Sequence, residues 1–306
     1  MINTRQLSYV LTVAHEKSFS LAAKKLMISQ PSLSQYIQKL ENEIGTPLFE
    51  RVTPLRLTYA GEIFVKSAQK ILNTEEEMNR VLRDITNEKS GKIVIGTGYY
   101  NGMVMLPHVI ENYLIEYPDV EIEIVERIEP ELKELARNGE VDLVIATKKV
   151  DDSDFQEMIL IKEEFLIAVP EKIAKEVIVE DLNEEGKLAY IDMELLKEMP
   201  FVMLGTQVYM HRLLDDICKS NGFLPKKVVT CTSLNTAYSM VKAGIGITLI
   251  PYSAYRYDRS SVVRYYRIQD NAFMRDFNVY YKKDRYLTKA MKGFIKALQV
   301  VGEEEE

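Results

Sequence analysis

Along the first 45 residues, apolar side chains recur every three or four positions in three separate segments, which predicts three helices. The first begins at Asn3 or Thr4, either of which can cap a helix, and the second begins at the capping residue Ser20. The third begins at Ser29 and ends at Gly45, where the chain needs a residue that accepts positive φ. The three apolar faces consist of Leu7, Val10, Leu11 and Ala14; Leu21, Ala22, Ala23 and Leu26; and Leu33, Ile37, Leu40 and Ile44.

Only three or four residues separate the second and third helices, which is typical of a helix-turn-helix unit. Such a unit places the start of its second helix in the DNA major groove. Pro31 is compatible with the first turn of that helix, because the N–H that proline lacks would have no partner there. The outer face carries Gln and Ser side chains, which suit base edges and phosphate oxygens. The alternative interpretation is an ordinary helical bundle with an exposed polar face.

The segment that follows favours DNA binding over the plain bundle. Residues 47–51 and 53–58 have the pattern of a short β-hairpin that carries two arginines, and this adds a basic wing to the helix-turn-helix unit. A basic wing suits contacts with phosphates or with the minor groove. The predicted DNA-binding residues are Ser29, Gln30, Pro31, Ser32, Ser34, Gln35, Gln38, Arg51 and Arg56.

A single long helix is predicted from Ala60 to about Lys89, with an apolar stripe that only Glu75 interrupts. The stripe comprises Phe64, Ala68, Ile71 or Leu72, Met78, Leu82 and Ile85. It pairs either with a copy of itself in a homodimer or with another part of the same chain. A dimer would present two groove-binding helices about one DNA turn apart and would prefer a partly palindromic site in double-stranded DNA. The polar segment 87–91 marks a domain boundary.

From Lys92 onward the pattern changes to alternating strands and helices, which predicts a largely parallel sheet covered on both faces. A second set of elements begins after Glu163, and the last strand and helix return most naturally to the first set. Two α/β lobes with a ligand cleft between them are expected. The predicted strands cover 93–96, 120–126, 141–145, 165–169, 201–204, 228–231, 247–250 and 277–281, and the helices cover 106–117, 130–138, 211–221, 236–243 and 288–298.

Four loops follow the carboxyl ends of these strands, where open α/β sheets bind small molecules beside helix N-termini. They cover residues 97–102, 146–148, 205–207 and 232–235. Because free N–H groups at helix N-termini attract anions, the favoured effector is a small anion such as a carboxylate. For each residue the alternative is a helix cap without a role in ligand binding. The predicted effector-binding residues are Gly98, Tyr99, Tyr100, Asn101, Thr147, Gly205, Thr206, Gln207, Ser233 and Asn235.

No cofactor, metal ion or catalytic site is predicted, and the chain is expected not to be an enzyme. Gly96-x-Gly98 after a strand is similar to part of a dinucleotide-binding motif, but Gly102 is one position too late for the third glycine. Two cysteines and three scattered histidines match neither a disulfide framework nor a zinc site. Cys218 and Cys231 are interpreted as small buried hydrophobic residues. The runs of glutamate at 75–77, 163–164 and 184–185 are interpreted as solvated faces.

The net charge of −7 argues by itself against a nucleic-acid partner, but the charge is unevenly distributed. Residues 1–92 contain 13 Lys and Arg against 10 Asp and Glu, a net charge of +3, whereas residues 93–306 contain 26 against 36, a net charge of −10. This division fits a DNA-binding part joined to an acidic sensing part. The longest apolar runs are about eight residues, so neither a signal peptide nor a membrane span is predicted, and the chain is expected in the cytoplasm.

Four runs of residues resemble the DNA-binding domain of the LysR-type transcriptional regulators. They are Ser18-Phe19-Ser20-Leu21-Ala22-Ala23-x-x-Leu26, Ser29-Gln30-Pro31-Ser32-Leu33-Ser34, Leu40-Glu41-x-x-Ile44-Gly45-x-x-Leu48-Phe49-x-Arg51 and Leu57-Thr58-x-Ala60-Gly61. The resemblance implies groove contacts from Gln30, Pro31, Ser34 and Gln35 and a wing contact from Arg51 or Arg56. The chain departs from the family at Gln35, which is often Arg in relatives, and at Tyr36, where Gln is common.

The resemblance extends, with fewer motifs, to the α/β part of the chain. It implies an effector-binding domain that is itself similar to periplasmic solute-binding proteins, with the four strand-end loops at the positions of the family's effector loops. The first of those loops commonly carries Ser or Thr, whereas Gly98 and Tyr100 take those places here. The resemblance also implies homotetramers made of two dimers.

The predicted organisation is multi-domain. An all-α winged helix-turn-helix domain covers 1–60, a linker and dimerisation helix covers 61–90, and an α/β effector-binding domain covers 91–306, with lobe I at 91–163 and 269–302 and lobe II at 164–268. The predicted function is an effector-responsive, sequence-specific transcriptional regulator in which ligand binding in the cleft changes the oligomer arrangement and the DNA contacts. The alternative is a small-molecule-binding or enzymatic α/β protein whose N-terminal helices only mediate assembly.

Overall fold

The first three helices lie close to their predicted positions. The computed structural model of the protein describes residues 3–50, 52, 54–85, 90–147, 149–177, 188–206, 209–268 and 274–303. Its N-terminal helices are α1 (Thr4–Glu16), α2 (Phe19–Lys25) and α3 (Gln30–Ile44). The predicted caps Asn3 and Ser29 are confirmed for α1 and α3, and α3 ends at Gly45, where φ is +82°.

The second helix begins earlier than predicted, and Ser20 is not its cap. Ser18 has an extended backbone, and its hydroxyl accepts a hydrogen bond from the Leu21 N–H at 3.4 Å, so Ser20 lies inside the first turn. Either serine satisfies the composition rule for a cap. Tertiary packing favours the earlier one, because Phe19 packs edge-on against Phe49 with ring centroids 5.7 Å apart.

The predicted hairpin after α3 is confirmed. Strands β1 (Phe49–Glu50) and β2 (Arg56–Leu57) pair antiparallel. The buried carboxylate of Glu41 in α3 accepts the N–H groups of Leu48 and Phe49 at 2.7 and 3.2 Å. This fixes the hairpin against α3 above a hydrophobic core. The buried members of that core are Val10, Val13, Ala22, Ala23, Leu33, Ile37, Leu40, Leu48 and Phe49.

A 27-residue helix, α4 (Tyr59–Ile85), begins directly after the hairpin. The Thr58 hydroxyl donates to the Pro47 carbonyl at 2.7 Å and accepts the Gly61 N–H at 3.0 Å. Glycine is required at position 61 because a Cβ there would lie 2.0 Å from the Leu48 carbonyl oxygen. The close approach holds the start of α4 against the base of the hairpin.

The chain from Ser90 onward is an α/β structure. Its strands are β3 (Ser90–Thr97), β4 (Asp119–Glu126), β5 (Leu143–Ala146), β6 (Phe155–Pro170), β7 (Pro200–Leu204), β8 (Lys226–Cys231), β9 (Thr248–Pro251), β10 (Val263–Arg267) and β11 (Met274–Lys282). Its α-helices are α5 (Tyr99–Val104), α6 (Leu106–Glu116), α7 (Glu129–Asn138), α8 (Glu171–Val177), α9 (Tyr209–Ser220), α10 (Leu234–Lys242), α11 (Tyr252–Tyr257) and α12 (Lys289–Glu303). A 3-10 helix covers Met193–Leu196. None of the helices described here is both long and apolar enough to cross a membrane.

Seven of these strands form one sheet, and the prediction that it is largely parallel is wrong. The strand order is β10-β6-β11-β5-β3-β4, with β9 also paired to β6, while β7 and β8 form a separate parallel pair. Within the seven, only β3 with β4 and β3 with β5 are parallel; β6 and β11 pair antiparallel with each of their neighbours. A parallel arrangement needs a crossover helix after each strand. The described residues between β5 and β6 contain no such helix.

Strand β6 joins the two halves of the α/β part. Its residues 155–164 pair with β11, whereas residues 165–170 pair with β9 and β10. We call the half with β3, β4, β5, β11, α5, α6, α7 and α12 lobe I, and the half with β7 to β10 and α8 to α11 lobe II. The sequence pattern predicted only 165–169 as a strand, because the charged residues that precede them interrupt the apolar run.

Candidate DNA-binding surface and effector cleft

The outer face of α3 presents an ordered set of polar side chains. Gln30, Pro31, Gln35 and Gln38 are exposed, and the Gln30 amide donates to the Ser34 hydroxyl at 2.9 Å. Leu33, Ile37 and Leu40 on the opposite face are completely buried, so the helix cannot turn this face inward. A hydrogen-bonded amide loses less conformational entropy on meeting a base edge. The arrangement suits the first two turns of α3 to the major groove.

Two predicted groove residues use their hydroxyls inside the helix itself. Ser29 is the N-cap of α3; its Oγ accepts the Ser32 N–H at 3.2 Å and lies 2.7 Å from the Ser32 Oγ. Ser29 is exposed and Ser32 is half-buried. Helix N-termini bind phosphate well, so this end of α3 suits the DNA backbone more than a base edge.

The hairpin carries one predicted arginine among the described residues, and the other lies outside them. Arg56 in β2 is exposed and opposite Glu50 in register. The predicted wing contact of Arg51 concerns a residue outside the described chain. Sequence reasoning gave no role to Tyr36, yet its ring is nearly half exposed on this surface and packs edge-on against Tyr9 at 5.4 Å between centroids. The signal that could have identified Tyr36 as part of this surface was its position as an aromatic residue among the polar side chains of α3.

Strand register brings the four predicted effector loops together in two pairs. Thr97 at the end of β3 is opposite Ile145 in β5, so the loops that begin at Gly98 and Thr147 leave lobe I side by side. Leu204 at the end of β7 is opposite Cys231 in β8, so the loops after them leave lobe II side by side. Each pair lies at the carboxyl ends of parallel strands, as the sequence predicted.

Two side chains cross from one pair of loops to the other. Tyr100 in α5 packs against the lobe II cluster that contains Tyr238 and Ile250, and the Asn235 amide of α10 lies 3.4 Å from the Met103 sulfur of α5. The Tyr100 hydroxyl and the Asn235 Oδ1 are buried and have no hydrogen-bond partner among the described residues. Unpartnered buried polar atoms at a cleft are suited to a ligand that supplies the missing bonds.

The remaining predicted effector residues differ in their accessibility. Asn101 is buried, Thr147, Gly205 and Ser233 are half-buried, and Tyr99 and Thr206 are exposed. Gly98 is the N-cap of α5 and Ser233 the N-cap of α10, and neither makes a side-chain capping bond. The N–H groups at both helix starts therefore have no cap side chain bonded to them. Gln207 lies outside the described residues.

A buried ion pair lies where β6 passes between the lobes, and it corrects the prediction that residues 163–164 form a solvated face. The Glu163 side chain is 1% exposed and that of Arg275 is 8% exposed; Arg275 Nε donates to Glu163 Oε2 at 2.6 Å. The other carboxylate oxygen of Glu163 accepts the Ser253 N–H at 2.8 Å. Glu164 pairs with Arg267 at 3.0 Å. Sequence reasoning missed this pair because its members come from different strands.

The Glu163–Arg275 ion pair affects the cleft electrostatically. Burial raises the pKa of Tyr100 well above its usual value, and the negative charge of Glu163 adds to the effect. The Tyr100 hydroxyl therefore remains protonated and can act as a hydrogen-bond donor. Because Glu163 neutralises Arg275, this buried arginine does not give the cleft a free positive charge.

The cysteines and histidines form no functional cluster in the described part of the chain, where no group of three or more His, Cys, Asp and Glu side chains is arranged to hold a metal ion. Cys218 is buried and Cys231 half-buried. His211 is buried, with Nδ1 2.5 Å from the Leu204 carbonyl, and His108 stacks on Tyr257 with ring centroids 4.5 Å apart.

Comparison with known proteins agrees with this two-part architecture. The model "Bacterial regulatory helix-turn-helix protein, lysR family" matches residues 4–62, and "LysR substrate binding domain" matches residues 86–302. The chain is 29% identical over 303 residues to the uncharacterized HTH-type transcriptional regulator YcgK of Bacillus subtilis (strain 168), covering 96% of this chain and 93% of that protein.

Two solved structures share the fold over nearly the full length. A variant of full-length OxyR from Pseudomonas aeruginosa is 25% identical, with a TM-score of 0.70 over 98% of this chain and 95% of that one. Full-length CbnR in complex with its target DNA is 18% identical, with a TM-score of 0.72 over 98% of this chain and 99% of that one, which concerns the fold alone. Since the two family models together cover helix α3 and both lobes of the α/β part, the chain belongs to the LysR family of transcriptional regulators, which bind DNA and small-molecule effectors and are not enzymes.

Proposed function

We propose that this regulator binds a partly palindromic site in double-stranded DNA as a dimer, and that a small molecule in the interlobe cleft changes that binding. The observation that carries the proposal is a pair of unpartnered buried polar atoms, the Tyr100 hydroxyl and Asn235 Oδ1, which belong to opposite lobes and to residues that pack across the interlobe contact. A ligand that bonds to both would favour one arrangement of the lobes. Binding in the cleft would thereby bias the arrangement of the subunits and their DNA contacts.

In the proposed DNA complex, Gln30, Ser34, Gln35 and Gln38 contact base edges, and the start of α3 and Arg56 contact phosphates. Arg51 belongs to the same proposal as a wing contact. Support comes from the exposure of α3 and from the Gln30–Ser34 hydrogen bond. Location in the cytoplasm follows from the proposed DNA partner.

A DNA probe is first selected from a random duplex library with the full-length protein. Fluorescence anisotropy then measures the affinity of the protein for the selected duplex and for a scrambled duplex at several salt concentrations. We expect a steep fall of affinity with salt. Gln35→Ala should reduce the preference for the selected duplex by about tenfold, the range of one lost base contact. Arg56→Ala should weaken binding to both duplexes alike.

Asn42→Ala is the matched control, because Asn42 is exposed on the same face of α3 two turns nearer its end. It should leave the sequence preference unchanged. Equal losses from Gln35→Ala and Asn42→Ala, or binding that is weak and independent of sequence, would contradict the assigned DNA surface.

The proposed dimer uses the apolar stripe of α4. Ile71, Met78, Leu82 and Ile85 are each more than half exposed although they share one face of the helix. Toward the start of α4, an apolar groove of about 470 Å³ between α1 and α4 includes Ile63 and Ile71 and continues this face. A second copy of the chain fits both, because an exposed apolar stripe on a long helix pairs with its own copy. Tetramers of two dimers are proposed from the family resemblance.

Sedimentation of paired variants tests the dimer. Met78→Gln/Leu82→Gln removes two apolar side chains from the stripe and should shift the protein toward monomer by at least about tenfold in dissociation constant. The control Glu76→Gln/Arg83→Gln also introduces two glutamines, but it removes an exposed ion pair of 3.1 Å on another face and leaves the apolar stripe intact. Equal dissociation of both variants, or of neither, would contradict pairing through this stripe.

The proposed effector is a small anion such as a carboxylate. An anion would be held by hydroxyl groups of the loops and by the N–H groups at the starts of α5 and α10, where neither N-cap makes a side-chain capping bond. Lys148 of the second loop lies outside the described residues. A thermal-shift screen against small carboxylates at fixed pH and ionic strength would identify binders, because a ligand selective for the folded state raises its stability.

The strongest binder is then titrated against Tyr100→Phe, Asn235→Ala and the control Tyr190→Phe, a tyrosine that is exposed and lies outside the four loops. We expect about tenfold weaker binding for the two cleft variants, the cost of one buried hydrogen bond, and no change for the control. The bound effector should also change the affinity for the selected duplex. A binder that is indifferent to both cleft variants, or that leaves DNA binding unchanged, would count against the proposed cleft mechanism.

The division into domains at 1–60, 61–90 and 91–306, with lobe II at 164–268, is likewise a proposal. It is supported by the separation of the hydrophobic clusters: one joins α1, α2, α3 and the hairpin, and others join the elements of each lobe.

A further inference from the structure

A polar cavity of about 280 Å³ lies between α4 and lobe I, remote from the interlobe loops. From α4 it is lined by Lys70 and Glu77, and from lobe I by Arg137, Lys282, Asp284 and Arg285, together with uncharged residues. Four cations and two carboxylates therefore face the same space. The cavity needs an explanation because like charges from two separate elements repel when they are brought together.

Some of these cations already have carboxylate partners. Arg137 Nη2 lies 2.6 Å from Asp152, outside the cavity lining, and Lys282 Nζ lies 3.0 Å from Asp284. On the acidic side, Glu77 Oε1 accepts the Tyr286 N–H at 3.2 Å. Lys70 differs from the others, because none of the described carboxylates lies within ion-pair distance of it.

Arg285 carries the buried part of the excess charge. Its side chain is only 4% exposed, and its ion-pair partner, Asp142, is shared with Arg80. Two arginines on one carboxylate leave this group with a net positive charge, which Glu77 in the cavity wall offsets in part. Arg285 Nε has no hydrogen-bond partner among the described residues. Burial, and after it the charge of Arg80, lower the pKa of Arg285 to about 10, so it remains charged at neutral pH.

The residue of the cavity wall next to Arg285 is Gly139, which has no side chain. Gly139 ends α7 with φ +79°, and a Cβ there would lie 3.4 Å from Arg285 Nη1. The carbonyl of Asn138, which belongs to the negative end of α7, is already hydrogen-bonded by the Asn73 amide. Arg285 thus lines the cavity beside a residue without a side chain, and the Asn138 carbonyl is occupied by Asn73.

We propose that this cavity binds a small tetrahedral oxyanion, phosphate or sulfate, either free or as the head group of a small metabolite, through Lys70 of α4 and Arg285 of lobe I. Arginine and lysine are the side chains that bind such groups, through charge-assisted hydrogen bonds. The volume lies just below the range of about 300–1,000 Å³ for small-molecule pockets, which favours a compact anion. The site is independent of the proposed effector cleft.

Binding would have a structural consequence. Lys70 belongs to the helix that leaves the DNA-binding domain, and Arg285 belongs to the lobe on which that helix packs. An anion between them adds a bond across this contact. It therefore stabilises the position of α4 relative to lobe I, without any contact to the interlobe cleft.

Calorimetric titration of the full-length protein with inorganic phosphate, at ionic strength held constant with sodium chloride, tests the proposal. We expect saturable binding that chloride does not reproduce, and a rise in melting temperature with phosphate. Lys70→Gln should weaken binding by about tenfold or more, the range for one charge-assisted hydrogen bond. This residue is exposed, so the variant should fold normally.

Two control variants define the site. Lys66→Gln removes an exposed lysine one turn earlier on α4, outside the cavity lining, and Asn235→Ala alters the interlobe cleft; both should bind phosphate like the unmodified chain. If ribose 5-phosphate binds with the same dependence on Lys70 while inorganic phosphate does not, the ligand is a metabolite head group. The proposal would be overturned if phosphate had no effect beyond that of chloride and ribose 5-phosphate did not bind either. It would also be overturned if Lys66→Gln and Lys70→Gln weakened binding equally, or if Asn235→Ala weakened it.

Discussion

Arg80 of α4 and Asp142 of lobe I form a buried ion pair, with Nη1 2.8 Å from Oδ1 and side chains that are 10% and 1% exposed. The second carboxylate oxygen of Asp142 accepts the Val94 N–H at 2.8 Å, and Arg285 contacts the same carboxylate. Breaking a buried ion pair by removing one partner is strongly destabilising. Asp142 therefore both holds α4 on lobe I and supports strand β3.

The first prediction is that Asp142→Asn lowers the free energy of unfolding by about 3 kcal/mol or more, because two buried arginines lose their countercharge. Urea unfolding followed by circular dichroism measures the change. Glu140→Gln, two residues away, is the control: burial raises the pKa of Glu140, so removing its charge should not destabilise the protein. Similar losses in the two variants would contradict a specific role for Asp142.

The second prediction concerns Gly61. Gly61→Ala places a Cβ 2.0 Å from the Leu48 carbonyl oxygen, and because the contacted atom belongs to the backbone, a side-chain rotation cannot relieve the clash. The junction of hairpin and α4 must then move, at a cost of at least about 2 kcal/mol, and DNA affinity should fall with it. Gly98→Ala is the control for thermal unfolding, because a Cβ at Gly98 meets nothing within 4 Å. If Gly61→Ala unfolds at the same temperature as Gly98→Ala, the close approach is not tight in solution.

The third prediction is a pH dependence within lobe II. Hydrogen bonds from Arg264, chiefly, lower the pKa of Glu171 from 4.5 to about 2. Since the folded pKa is the lower one, this pair stabilises the fold fully above about pH 4.5 and its contribution is lost as the pH falls toward about 2. The Arg264 side chain is 40% exposed, and solvent screening limits the contribution to about 1 kcal/mol.

Glu171→Gln should therefore be less stable than the unmodified chain at neutral pH, and the difference should shrink between about pH 4.5 and about pH 3. Urea unfolding of both proteins at each pH measures this difference. A difference that stays constant or grows on acidification would show that the ion pair is not its source.

The fourth prediction separates the two thiols. Burial, and after it the negative charge of Asp215, raise the pKa of Cys218 to about 12, so almost no thiolate exists at pH 8. In Cys231→Ser, the remaining thiol should react with a disulfide reagent only as fast as the fold opens. In Cys218→Ser, the half-buried Cys231 should react sooner. Rapid labelling of Cys218 in the folded chain would contradict its burial.

Local features of the N-terminal domain could be predicted from the sequence, because caps and apolar spacing act within a few residues. Ser29 and Gly45 mark the ends of α3 as expected. The cap of α2 could not be assigned this way, since Ser18 and Ser20 are equivalent by composition and only the packing of Phe19 on Phe49 distinguishes them.

Features that depend on distant partners could not be predicted. Glu163 stands beside another glutamate in the sequence and resembles a solvated residue, but its partner Arg275 is 112 residues away along the chain. On α4, the apolar stripe was visible, whereas the polar face was not recognised as a packing face. Its burial became evident only from Arg80 on Asp142 and from Asp84, which accepts the Tyr286 hydroxyl at 2.8 Å.

The last prediction concerns Tyr100, whose hydroxyl is buried at the cleft without a hydrogen-bond partner among the described residues. Leaving a buried hydroxyl unpaired costs about 1–3 kcal/mol, whereas the Tyr100 ring packs on lobe II. Tyr100→Phe keeps the ring and removes the unpaired group, so the ligand-free protein should be as stable as the unmodified chain or more stable by about 1 kcal/mol. Tyr100→Ala removes the ring as well and should destabilise the protein by at least about 2 kcal/mol. Thermal unfolding without ligand measures both variants. If Tyr100→Phe instead loses stability, the hydroxyl has a partner in the free protein, and the cleft is not open to a ligand at this atom.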